Sequence, residues 1–164
     1  MKLVASDASP LIIFAKSNLI PLLTGMIDEV IVPETVYAEC VADVAMPGAR
    51  VIRIAAETGQ IHVRADIVVP GIPGVNLAVL DAGEIAAIHM AVALQCPVLM
   101  DERLGRQTAR RQGLTVIGSA GLLLAAKQRG LIPAIAPILD QWREAGYFLA
   151  NNIAHAVLER AGET

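Results

Sequence analysis

Along this chain, short apolar runs alternate with longer stretches of helical composition, and turn residues mark the joints. Val30-Ile31-Val32, Val98-Leu99-Met100 and Thr115-Val116-Ile117 have the length and apolar content of strands buried on both faces of a parallel sheet. Lys2 to Ser6 is a further strand candidate and Ile61-His62-Val63 a short one. The central helix runs from Glu84 to Gln95, filled by Ala, Leu, Ile and Met, with no Gly or Pro before Pro97. Ser9-Pro10 offers an N-cap followed by proline at the first helical position, which opens a short helix over Leu11 to Lys16. Leu19 to Leu23 makes a second helix. Pro33 opens a third, Glu34 to Val44, and Pro47-Gly48 breaks it before a helix over Ala49 to Glu57. A basic helix follows from Glu102 to Gln112, and Gly118 to Gly121 starts another that runs to Arg129. Ile135 to Ala145 and Asn151 to Arg160 read as closing helices, and Val69 to Gly74 as a long loop that would serve as a flap. Strands alternating with helices predict βαβ units around a parallel sheet, the α/β class.

Composition narrows the options. With 164 residues, one domain over 1–164 is expected, its closing helices starting near residue 135. Apolar residues make up 55% and mean hydropathy is +0.57, which excludes a disordered chain. Membrane insertion is not expected either, because apolar runs such as Ala86 to Leu94, with His89 inside, are too short to span a bilayer. Asp7 and Pro10 interrupt any signal-peptide core, so a cytoplasmic location is expected. Only 18% of residues are charged, which suggests a face buried against another chain. Cys40 and Cys96 lack metal-ligand spacing and read as reduced core residues. A net charge of −3 gives no general pull on nucleic acid, so any such contact is local, and 3% aromatics make base stacking a minor device.

Candidate chemistry lies with the acids. Parallel strands send their carboxyl ends to one edge, where ligands of open α/β sheets bind. Asp7 follows the first strand and Asp101 the strand after the central helix. Glu84 sits in the first turn of that helix, and Glu39 within about two turns of the start of its own. Carboxylates gathered at one edge repel, and a hard divalent ion, Mg²⁺ or Mn²⁺, is the economical counterweight. No His cluster or Cys pair competes for zinc. An ion held by carboxylates suits phosphodiester hydrolysis. Arg103, Arg106 and Arg110 share a helix face beside Asp101 and fit either a phosphate track or a solvated face. Plain readings stand beside each acid. Asp81 and Glu84 spell a D-x-x-E capping box, Asp101-Glu102 complement a helix dipole, Asp7 could cap the turn with Ser9, and Glu39 could be a solvated charge. His89 reads as a core or interface residue. The coincidence of the acids at one edge favours a site.

Five stretches carry a resemblance: D-A-S-P-L-I from Asp7, V-P-E-T-V-Y-A-E from Val32, L-D-A-G-E-I-A-A-I from Leu80, V-L-M-D-E-R-L-G-R-Q-T-A-R from Val98, and V-I-G-S-A-G-L-L-L-A-A-K-Q-R-G-L-I from Val116. In order and spacing the chain resembles a PIN domain, and most of all the ribonuclease toxins of bacterial and archaeal toxin–antitoxin modules. The resemblance covers nearly the whole chain. It implies a three-layer α/β/α sandwich with a central parallel sheet. It also implies that Asp7, Glu39, Glu84 and Asp101 form an acidic quartet on one or two Mg²⁺ or Mn²⁺, assisted by Ser9. Cleavage of single-stranded RNA, inhibition by a cognate antitoxin and dimerisation are implied too. Arg103, Arg106, Arg110 and Ser119 stand as the further substrate-binding candidates. Many PIN domains carry another Asp or Asn soon after the acid at Asp101; here Arg103 and Leu104 follow, with Glu102 the nearest substitute. Two other functions compete. One is a PIN-like module that binds nucleic acid or a partner without turnover. The other is a phosphoacceptor signalling domain, against which Lys127 argues by lying deep in a helix rather than at a strand end.

Overall fold

The first strand, β1 (Leu3–Ser6), occupies the middle of the sheet. A computed structural model describes residues 1–72 and 79–164. From β1 the chain passes through α1 (Ala8–Lys16) and α2 (Ile20–Met26) to β2 (Glu29–Pro33), which pairs beside β1 with Val4 opposite Val30. Helices α3 (Glu34–Val41) and α4 (Pro47–Glu57) lead to β3 (His62–Arg64) at one sheet edge. Helix α5 (Ala82–Leu94) returns the chain to the other side of β1, where β4 (Val98–Leu99) pairs with it, Ala5 opposite Val98. Helix α6 (Arg103–Arg111) and strand β5 (Val116–Ile117) complete the five-stranded parallel sheet, ordered β3-β2-β1-β4-β5. Helices α7 (Ser119–Gln128), α8 (Ala136–Glu144) and α9 (Asn151–Arg160) follow.

Strand residues alternate between two separate apolar cores, because successive side chains leave opposite faces of a strand. Val4, Val30, Val32 and Leu99 point into the larger core, which α1, α2, α3, α4, α7, α8 and α9 supply, with Ala86 added from α5. Ala5, Ile31, Val98 and Met100 point into the smaller one, filled by α5 and by Ala109 of α6. All eight are fully buried, so a polar substitution at any of them would reach a core directly. This is the three-layer α/β/α sandwich. Lys127 lies far from the strand ends, with its ammonium on Ala161 O at 2.7 Å and on Glu163 at 2.9 Å. Glu163 also accepts from the N–H groups of Ile135 and Ala136, which ties the end of α9 to the start of α8. No described helix is long and apolar enough to cross a membrane.

Several boundaries depart from expectation; α2, for one, runs on to Met26 rather than stopping at Leu23. Helix α1 starts at Ala8, with Asp7 rather than Ser9 at the N-cap position, so Pro10 sits within the first turn, where an absent N–H costs nothing. Helix α3 stops at Val41 instead of Val44, because Asp43 turns its carboxylate onto Ala45 N–H at 3.0 Å and competes with the helix. Pro47-Gly48, expected only to break a helix, instead opens α4 with proline at its start. The expected flap over Val69 to Gly74 extends through residues 73 and 74, which lie outside the described residues.

Candidate functional site

Between β1 and β4 the direction of winding reverses, and the strand ends there open a crevice. Asp7 leaves β1 at this point, its N–H donating to Leu99 O at 2.9 Å. Its backbone takes the extended N-cap conformation, yet its carboxylate does not cap α1. Gly83, in the first turn of α5, marks where that carboxylate goes. A β-carbon on Gly83 would lie 3.3 Å from Glu39 Oε2, 3.5 Å from Asp7 Oδ1 and 3.5 Å from Asp81 Oδ1. Three carboxylate oxygens, from β1, α3 and the start of α5, therefore border one small volume that glycine keeps open.

Glu84 and Asp81 meet through the capping box. Asp81 Oδ1 accepts Glu84 N–H at 2.8 Å, and Glu84 Oε2 accepts Asp81 N–H at 3.2 Å. The sequence reading of these two as a cap is correct, and it holds alongside the acidic cluster. Asp7 and Glu84 are buried, Asp81 and Glu39 exposed. Burial pushes the Asp7 carboxyl up to about 7; the Ala8 N–H opposes this, and the charges of Asp81, Glu84 and Glu39 add to it. Burial likewise pushes Glu84 up to about 7 against the Asp81 N–H, helped by the charges of Asp81 and Glu102. Glu39, though exposed overall, is partly desolvated, and that desolvation and then the Asp81 charge raise it. Among the described residues, no Lys or Arg forms an ion pair with any of these four acids.

Asp101 stands apart from this group. Its Oδ1 accepts Ser119 N–H at 2.7 Å, and its Oδ2 accepts Ser119 Oγ at 2.5 Å and the Tyr147 hydroxyl. Ser119 was expected to touch substrate, but it is fully buried and spent on Asp101. Tyr147 was missed by the sequence reading. Its phenol is held well above its ordinary range by burial and by the Asp101 charge, so it remains a donor. The available clue was a tyrosine in a chain with so few aromatics, since a buried hydroxyl needs a partner.

The three arginines also divide. Arg106 is half-buried and donates from Nη1 to Met100 O at 2.8 Å, which removes it from the expected phosphate track. Burial, then the nearby Arg110 charge, lowers its guanidinium from the usual range. A β-carbon on Gly118 would come within 2.6 Å of that Nη1, so any larger residue there would push the guanidinium end aside. Arg103 and Arg110 remain exposed, as does Ser9 in the first turn of α1. Glu102 caps α6 through Gly105 N–H at 2.7 Å.

The donors around Gly83 are all carboxylate oxygens, partly buried and uncompensated by any base, and this chemistry fits a hard divalent cation. As placed, they form no closed cage, and no three His, Cys, Asp or Glu among the described residues are grouped to hold an ion. The reason is visible: Asp81 and Glu84 are turned into the capping box, and Asp101 onto Ser119 and Tyr147.

Residues 3–163 match the model of a family described as DUF3368, a PIN domain. A solved structure, a PilT N-terminus domain protein SSO1118 from the hyperthermophilic archaeon Sulfolobus solfataricus P2, aligns at 19% identity with a TM-score of 0.47, over 77% of this chain and 93% of that one. The comparison with curated proteins gives no match.

Proposed function

The chain belongs to the DUF3368 family of PIN domains, which are typically metal-dependent nucleases, and from that premise we propose an endoribonuclease that cuts single-stranded RNA with Mg²⁺ or Mn²⁺. The observation that carries this reading is the convergence of carboxylate oxygens on Gly83 with no basic side chain against them. Asp7, Glu39 and Glu84 would hold the cation on one side of the β1–β4 crevice and Asp101 on the other. When bound, such an ion acidifies water and offsets the negative charge that gathers on a phosphate under attack. Asp7 is fixed by burial at the strand end. Glu84 is set by the first turn of α5 and would leave the capping box to hold such an ion. Arg103 and Arg110, exposed on α6, draw the RNA backbone towards the crevice, and Ser9 can donate to a phosphate oxygen. No side-chain nucleophile is needed.

The proposal extends to the toxin of a toxin–antitoxin module, working in the cytoplasm and restrained by an antitoxin protein. An open groove of about 440 Å³ supports this. It begins at Asp101 and Arg106 and runs along α7 to Leu149 and Ile153 with a mostly apolar lining, so a protein seated there would reach the site. Exposed Val44, Met46 and Ile54, on and just before α4, suit a homodimer contact.

Asp7→Asn tests the catalytic reading. The variant should fold, lose the melting-temperature gain that Mn²⁺ gives the wild type, and lose cleavage of a single-stranded RNA. Cleavage at wild-type rate would overturn it. A module that binds RNA without turnover is the second reading, favoured by the engaged oxygens of Asp101. Metal-independent RNA binding with no cut product would select it.

A further inference from the structure

Gly146, in the left-handed region at φ 85°, ends α8, and Tyr147 N–H turns back onto Trp142 O at 2.9 Å. The Tyr147 ring then stands edge-on to Trp142, with centroids 5.5 Å apart and planes at 83°. Trp142 is itself buried, tilted against Phe14 at 5.5 Å, and donates its indole N–H to Ser17 Oγ at 3.1 Å. Tyr147 is thus braced from behind by contacts rooted in α1, and its hydroxyl meets Asp101.

The bonds on Asp101 are unequal. A carboxylate oxygen offers about two lone pairs. Among the described residues, Oδ2 receives two donors, Ser119 Oγ and Tyr147 Oη, whereas Oδ1 receives only Ser119 N–H. Oδ2 is therefore saturated, and one lone pair remains on Oδ1. We propose that Tyr147 is a positioning residue: by filling Oδ2 it presents Oδ1 as the single open oxygen through which Asp101 takes a divalent cation. This rests on the reading of Asp101 as a cation-holding residue. Groups that fix a metal ligand from behind typically alter metal affinity by about 10–100-fold when removed.

Calorimetric titration of the full chain with Mn²⁺ tests it, using wild type, Tyr147→Phe, Asp101→Asn and the double variant. Phe keeps the ring against Trp142, and melting in chelator confirms that the variants fold. Tyr147→Phe should weaken Mn²⁺ binding about tenfold in the wild-type background and change nothing further beside Asp101→Asn. Unchanged or tighter binding by Tyr147→Phe would overturn the proposal. So would an equal loss in both backgrounds, which would mark Tyr147 as merely structural. If Asp101→Asn alone leaves Mn²⁺ affinity intact, the failure lies instead with Asp101 as a cation-holding residue, and the role of Tyr147 falls with it.

Discussion

Gly83 is the residue on which the site depends most simply. Alanine there should favour the helix by about 0.5–1 kcal/mol, since glycine carries more conformational entropy in the unfolded chain. Its β-carbon would also enter the space among Glu39, Asp7 and Asp81, apolar matter where the proposed cation or its water would sit. Gly83→Ala should therefore melt as high as wild type in chelator, or higher, while losing most of its Mn²⁺-induced stabilisation; retention of that gain would place the cation elsewhere. The acids make a second prediction, on pH. Asp7 and Glu84, ordinarily near 3.8 and 4.5, titrate near 7 in the folded, metal-free protein. Between about pH 4 and 7 the folded state thus binds protons that the unfolded chain has released, so stability falls as pH rises through that window and levels off above it. Melts in chelator should show this slope, and Asp7→Asn should reduce it; a stability that climbs from pH 5 to 7 would contradict the burial argument. The placing of Asp7 and Glu84 at this sheet edge was legible in the sequence, because one follows a strand and the other opens a helix, whereas Glu39 lies inside α3, where the pattern allowed its approach without forcing it. The clasp on Asp101 was not, because Tyr147 reaches it only through the packing of α8 on α1.

Among the elements, α5 was the plainest in the sequence, and its capping box was read residue for residue from D-x-x-E. A cap needs an acceptor oxygen and not a charge, so Asp81→Asn should be nearly silent in thermal melts. Asp81→Ala should cost about 1 kcal/mol. Equal melting of the two variants would show that the box contributes nothing. Boundaries were less legible where a side chain competes with the helix it leaves, as Asp43 does at the end of α3, or where a proline can either end a helix or begin one, as Pro47 does. Helix α6 was correctly read as basic, but periodicity places residues on a face without saying which of them turns inward. Arg106 does so to hold Met100 O, and that needs the strand end beside it.

At the scale of the molecule, the alternation of strands with helices was enough to predict a parallel sheet, whereas strand order was not in the pattern and required the pairings themselves. That order has a consequence for how the chain comes together. Strands β1 and β2 join across one short excursion, while Ala5 waits for Val98 across more than half the chain. Local pairings close early and distant ones late, so the seam between β1 and β4 is the slow joint of this fold. Asp7 and Glu39 arrive with the first half, Asp81 and Glu84 with the second, and the repulsions that raise Asp7 and Glu39 act largely across the seam. The last docking step therefore brings like charges together. Stopped-flow refolding in chelator should be faster at pH 6 than at pH 8, where those carboxylates carry more charge, and a rate indifferent to pH would mean that the seam closes after the folding barrier has been crossed.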